Sequence, residues 1–341
     1  MDDFNGYMTE YQVEWRKDHI ATQEWGRWQG EQYPWILPYK LWQEGLWPGV
    51  RSDSEYSLPD YLRLNQVQKH KGVHNLKSSW MLCANLYFPF GASEEGRSLL
   101  AGFLQAHVCS EIQSVDAVEL EYAEAVNSPL HPSRLLGEQG GSRGTGQTSP
   151  DVAFLVNGRR GLVLMENKFV EHSFYPCSAH RHKGSAERVG NPDPSRCDNA
   201  LAVLDDPKSL CHQVMWGRRY WDHLAPVMNR ERVSSLRCCP AARAGYQLFR
   251  QQALAEGIAA SDKHDLVVSC VALDERNDTL IHCLKSTKIS HVRDWGELFQ
   301  GKAGFAVVTH QQWIAWVRDH DLNGQWTNWL RYVESRYGYT P

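Results

Sequence analysis

No stretch of the chain approaches the roughly 18 consecutive apolar residues that a membrane-spanning helix needs. The opening MDDFNGYMTE is acidic and polar, unlike a secretory leader. No membrane association is therefore expected, and the cytoplasm is the expected location. Excess charge of one sign is also lacking. The 36 Lys and Arg against 40 Asp and Glu leave a formal net charge of -4, so the molecule as a whole is not a general polyanion binder. The nine cysteines are odd in number, scattered, and accompanied by 15 histidines. That pattern excludes a secreted disulfide scaffold and fits a reducing compartment with some metal ligation. The Gly-rich run GEQGGSRGTGQTSP (137–150) lacks the Gly-Lys-Ser/Thr ending of a phosphate-cradling loop, so nucleotide binding is not indicated. There is no internal repeat. What 341 residues do allow is a sizeable buried core, in one large domain or two.

The informative stretch is SPDVAFLVNGRRGLVLMENK (149–168). DVAFLV and GLVLM are short runs rich in Val, Leu and Phe, and the Asn157-Gly158 step between them is a strong hairpin-turn signal. A four-residue loop pairs Val156 with Gly161 and sets Asp151 directly opposite Glu166. A two-residue loop pairs Asp151 with Leu164 and makes Glu166 its diagonal neighbour. Either register puts Asp151, Glu166 and Lys168 on one side of the ribbon, because side chains alternate along a strand. The second strand is apolar on both faces (Leu162 to Met165), as in a sheet interior. Charged groups at its end are costly to desolvate without partners. Two carboxylates with a lysine beside them make a site for a hard cation such as Mg²⁺, which takes oxygen ligands. The bland alternative is an ordinary salt bridge at an exposed hairpin end.

Pro150-Asp151, followed fifteen positions after the Asp by Glu166-Asn167-Lys168, resembles the signature of the PD-(D/E)xK nuclease superfamily. The likeness spans about residues 75 to 310. It includes a helical stretch before the hairpin and a polar helix followed by a strand after it. The chain also resembles a bacterial group of that superfamily with added cysteines after the lysine. The resemblance implies an α/β restriction-endonuclease-like core, a mixed central sheet flanked by helices. It further implies Mg²⁺ or Mn²⁺ held by Asp151 and Glu166, with the Asn167 carbonyl as a further ligand, and a water positioned by Lys168.

Taken in order, residues 1–61 form a Trp-rich extension (Trp15, Trp25, Trp28, Trp35, Trp42, Trp47) with no sustained helical period, read as short helices and turns. Residues 62–310 are the expected nuclease core and 311–341 a C-terminal helical segment. Residues 62–108 read as mainly helical. VDAVELEYAE (115–124) alternates and should be the first core strand, with Glu121, or else Glu119, as an additional carboxylate for the metal. The 137–150 run reads as a mobile loop, whose Arg143 can reach a substrate backbone. ARAGYQLFRQQALAEGIAAS (241–261) is a helix with Gln247, Arg250 and Gln251 on one polar face. By the resemblance, Gln247 is the auxiliary active-site residue. DLVVSCVAL (265–273) follows as a strand, FAVVTHQQW as a strand or helix lead-in, and 325–337 as an aromatic-rich helix.

Residues 172–240 form a Cys/His-rich insertion. Loops so long and so poor in hydrophobic pattern need something to hold them, and Cys177, Cys197, Cys211 and Cys239 are the expected ligands of Zn²⁺ or a [4Fe-4S] cluster. The alternative is buried free cysteines. In superfamily members with such a cluster, one cysteine precedes the catalytic motif and three follow it. Here four follow, unless Cys83 or Cys109 takes part. From Cys177 to Arg250 there are 12 Lys and Arg against 7 Asp and Glu. This surplus fits a phosphate-facing surface with Arg218, Arg219 and Arg250 as DNA contacts. The expectation is a Mg²⁺-dependent DNA nuclease, an endonuclease of defence or DNA processing. The other classes are a nucleic-acid-binding module without chemistry and a metal-stapled interaction scaffold.

Overall fold

The computed structural model describes residues 3–339. A short antiparallel ribbon, β1 (Gly26–Trp28) and β2 (Glu31–Tyr33), stands apart from a five-stranded sheet. That sheet has the order β3 (Val115–Leu120), β4 (Val152–Val156), β5 (Gly161–Asn167), β6 (Leu266–Leu273), β7 (Gly304–Thr309). The first three strands pair antiparallel and the last two join in parallel, so the sheet is mixed.

The register of the central hairpin follows from its turn. Asn157, Gly158 and Arg159 all have positive φ, and Val156 pairs with Gly161 across the four-residue loop. Asn157 does more than turn the chain. Its Oδ1 accepts from the amides of Gln113 and Ser114, and its Nδ2 donates to the Glu111 carbonyl, which anchors the lead-in to β3.

Every residue of β5 is buried. Alternate side chains feed two separate cores, as expected of a sheet covered on both faces. Val163 and Met165 pack with Phe154, Val268 and Ala272 beneath the helices Ser79–Leu86, Glu94–His107, His310–His320 and Thr327–Tyr337. Leu162 and Leu164 pack on the other side with Leu155, Val267 and Val271, under the helix Tyr246–Ala259. Trp42, Val50 and Leu58, from the Trp-rich stretch, join the first of these cores.

Three local expectations need correction. The Trp-rich segment opens with a 16-residue helix, Phe4–His19, instead of short helices alone. Its buried positions are Met8, Gln12, Trp15 and Arg16, and two of these four are polar. Gln12 donates to the Arg336 carbonyl and Arg16 to the carbonyls of Pro34 and Ile36, so hydrogen bonds replace the apolar stripe on which periodicity depends. The helical reading of 62–108 fails from Asn65 to Ser78, where turns intervene between Leu58–Leu64 and Ser79–Leu86. Strand β3 stops at Leu120, because Glu121 takes a left-handed backbone (φ 49°) and ends the alternation.

Candidate active site

Strand β5 delivers three functional groups in succession. Because Val152 pairs with Met165, Asp151 lies across from Glu166 at the open end of the hairpin. The Asn167 amide donates to Asp151 Oδ2 at 2.7 Å, and Asn167 Nδ2 donates to the Ser79 carbonyl at 2.7 Å. Lys168 then turns back so that its Nζ donates to Glu166 Oε1 at 2.7 Å. Its backbone is held on both sides. The amide donates to the Ala272 carbonyl, and the carbonyl lies 2.9 Å from His310 Nε2.

The helix Tyr246–Ala259 closes the site from the second core. Gln247 Nε2 donates to Glu166 Oε1 at 2.9 Å. One turn on, Arg250 Nε donates to Thr148 Oγ1 at 3.0 Å and lies 3.4 Å from Glu138. Gln251 is buried. Its Nε2 donates to the carbonyls of Leu164 and Cys270 and to Ser269 Oγ, which ties the helix to both β5 and β6. Asp151, Glu166, Glu121, Gln247 and Arg250 line one cleft of about 200 Å³ together with His70.

The electrostatics of this cleft are unbalanced. Burial, then the charge of Glu166, push the Asp151 carboxyl well above its ordinary range. Burial, then Asp151 and Glu166, do the same to Glu121. Burial opposes the charge on Lys168, but Glu166, Glu171 and Asp151 outweigh it and hold the ammonium above its usual value. Three carboxyl groups thus face the Lys168 ammonium and the Arg250 guanidinium in a confined space. A hard divalent cation with carboxylate ligands would relieve that excess of negative charge. The carboxylates do not already form a closed cage. Among the described residues no three His, Cys, Asp or Glu side chains stand close enough to hold one ion.

The other expected contact residues are placed apart from these. Arg143 donates to the carbonyls of Leu120 and Glu121 and to the Tyr61 hydroxyl, and it pairs with Glu119, so it braces the end of β3. Arg218 donates to the Gly137 carbonyl and is buried. Arg219 pairs with Asp222 and reaches the Arg134 carbonyl while staying half-exposed. Only Arg250 of the four enters the cleft. The Gly-rich run is tied down at Glu138, which accepts from the amide and hydroxyl of Thr148 and from the Tyr220 hydroxyl.

Cys177, Cys197, Cys211 and Cys239 line one small apolar cavity of about 20 Å³, with Val203, Trp221 and Phe249 among its walls. All nine cysteines are free, and neither Cys83 nor Cys109 reaches this cavity. Burial pushes all four thiols up, Cys197 to about 12, which argues against a nucleophilic role.

Sequence reasoning missed His70, Thr148, Glu138 and His310 as parts of this region. His70 Nδ1 accepts from the Gly72 amide, so the neutral ring carries its proton on Nε2. A short His-Lys-Gly turn was its only signal.

A mixed five-stranded sheet carrying Asp, Glu and Lys at the mouth of its central hairpin defines an α/β protein of the restriction-endonuclease-like class. The chain matches the family described as Restriction Endonuclease associating with ARP over residues 9–338, and it belongs to that family. No curated protein and no solved structure matches it.

Proposed function

We propose that the protein is a Mg²⁺-dependent nuclease that hydrolyses phosphodiester bonds in DNA, as an endonuclease of defence or DNA processing. The observation that carries this reading is the meeting of Asp151, Glu166 and Gln247 in one cleft, with Lys168 bonded to Glu166 from the buried side, in a chain from a restriction endonuclease family. In this reading the Trp-rich residues 1–61 are an extension of the nuclease core and 172–240 an insertion in it. Association with ARP, which the family's description names, is proposed for this chain as well.

Asp151 and Glu166 would hold Mg²⁺ or Mn²⁺, with the Asn167 carbonyl and Glu121 as further oxygen ligands. Such an ion lowers the pKa of a bound water and neutralises charge on a phosphate in transfer. The chain's own groups divide the remaining work. Lys168, kept as an ammonium by its acidic neighbours, orients the attacking water and faces the phosphate as a fixed positive charge. Gln247 fixes the Glu166 carboxylate through its amide. Arg250, at the cleft wall, is the arginine best placed to meet a DNA phosphate.

Circular and linear DNA incubated with and without Mg²⁺ or Mn²⁺ tests the reading, since closed circles report internal cuts alone. Asp151→Ala and Lys168→Ala are each expected to lower metal-dependent cleavage by at least ~10²-fold, with DNA binding retained. Undiminished cleavage by Lys168→Ala would overturn the assignment.

A further inference from the structure

The basic surplus between Cys177 and Arg250 is unevenly disposed. Arg196, Arg219, Arg230 and Arg232 each pair with a carboxylate, those of Asp193, Asp222, Asp205 and Glu297 in turn. Arg181, Lys183 and Arg243 gather instead around one open cavity of about 720 Å³, against about 200 Å³ for the active-site cleft. His180 and His182 complete its polar wall, and no Asp or Glu lines it. The three cationic residues are all exposed. Among the described residues Arg243 is the only one of the three with an ion pair, to Asp198 at 3.8 Å. Cations held together without counter-charge repel one another, and an anionic ligand between them relieves that repulsion.

The cavity adjoins the active site through a short stretch of paired backbone. The Phe174 amide donates to the Ala244 carbonyl and the Cys177 amide to that of Ala241, while the Tyr246 and Gln247 amides donate to the carbonyls of Tyr175 and Phe174. At one end of this pairing Gln247 meets Glu166, and at the other Pro176, Cys177 and Arg243 line the cavity. The three steps from Phe174 to Cys177 span at most about 10 Å. Tyr175 stands between the two ends. Its ring lies 5.9 Å from Lys168 Nζ, and the residue is 45% exposed. Its backbone is left-handed (φ 57°), a strained state for a bulky residue. An aromatic ring left in solvent gains little from packing to offset that strain, and a flat exposed ring is what a nucleobase stacks on.

We propose that this cavity is a second anchor for the substrate. Arg181, Lys183 and Arg243 bind backbone phosphates of the strand being cut, to one side of the scissile bond, and Tyr175 stacks on an unpaired base between anchor and active site. The inference rests on the nuclease reading and narrows its substrate to DNA with an unpaired stretch beside the cut. A base can stack on a side chain only where it has left its neighbour, which is the condition of a single strand or an opened end.

The anchor also replaces the contacts that Arg218 and Arg219 do not supply, since those guanidinium groups are engaged by the Gly137 carbonyl and by Asp222. Phosphate contacts set position and affinity but read no sequence. Three of them on a single strand displace counterions and contribute about 2 to the slope of log affinity against log salt. The anchor therefore has a signature in salt dependence that is separate from the chemistry of cleavage.

The test is binding of a labelled oligonucleotide, as single strand and as blunt duplex, to the full chain in chelator over a range of salt. The combined variant Arg181→Ala, Lys183→Ala, Arg243→Ala should bind the single strand at least ~10-fold more weakly at low salt, with the slope reduced by about 2. Removing three paired charges instead (Arg196→Ala, Arg230→Ala, Arg232→Ala) should leave the slope as it is. Tyr175→Ala should weaken the single strand at least ~5-fold and the duplex little, and Tyr175→Phe should restore it. Equal slopes in the wild type and the first variant, or equal losses in the two combined variants, would overturn the anchor and leave the nuclease reading standing. A wild type that prefers the blunt duplex would overturn the stacking role. Should dAMP bind the wild type but not the first variant while both hold DNA equally, the cavity belongs to a free nucleotide and the anchor fails. A wild type without metal-dependent cleavage would remove the nuclease reading, and this inference with it.

Discussion

Glu121 reaches the cleft only because its backbone is left-handed, with its amide bonded to the Asp151 carbonyl. Folding raises its pKa, so the stabilising contribution of its protonated form is present at acid pH and is lost as pH rises through the raised value. In chelator, the urea midpoint should therefore fall as pH rises above the ordinary carboxylate range, and Glu121→Gln should flatten that fall. The variant should gain ~1 kcal/mol at the upper end. Added Mg²⁺ should recover the wild type and act less on the variant. Gly144 bears on the same carboxylate. Its φ of 88° disfavours any side chain, and an added Cβ would lie 2.5 Å from the Gln68 carbonyl and 3.4 Å from the Glu121 carboxyl carbon. Gly144→Ala should cost about 1–3 kcal/mol, measured by urea unfolding, and should weaken cleavage by displacing Glu121. Asp151, Glu166 and Lys168 were legible in the sequence because strand alternation fixes their common side. The route of Glu121 was not, since a non-glycine residue with positive φ leaves no pattern to read.

At the level of elements, the helix Tyr246–Ala259 links the chemistry to the sheet. Its polar residues share one face, on which the resemblance marks Gln247 for the site and the basic surplus marks Arg250 as a DNA contact. They point inward: Gln247 to Glu166, Arg250 to the cleft, and Gln251, to which neither assigns a role, to the carbonyls of β5 and β6. Periodicity identifies a face but not what covers it, and here the cover is the sheet itself, whose Leu164 and Cys270 carbonyls accept from Gln251. Gln251→Leu should cost about 1–3 kcal/mol by removing these buried hydrogen bonds. The change should show as a lower denaturant midpoint, with cleavage reduced through the shifted helix. The hairpin itself was fully legible, because Asn157-Gly158 and the apolar runs around it specify both turn and register. The N-terminal helix was not, because Gln12 and Arg16 occupy half of its buried positions and find their partners far along the chain.

For the molecule as a whole, the two ends of the chain are clasped together. The Tyr11 hydroxyl donates to the Ser335 carbonyl and Gln12 to that of Arg336, while Trp329, Val333 and Tyr337 are fully buried in the core beneath the sheet. Each such side chain contributes about 1.5–3 kcal/mol on burial. Together they approach the net stability of a domain, about 5–15 kcal/mol. Truncation after Trp326 should therefore give a chain without a cooperative thermal transition, checked by calorimetry. The clasp also bears on the order of events during synthesis. The helix Phe4–His19 leaves the ribosome first, yet the carbonyls and aromatic rings it docks against come some 320 positions later. Until those residues emerge, the nascent polypeptide must carry Met8 and Trp15 exposed, which makes it a natural client for a chaperone and makes its maturation a post-translational event.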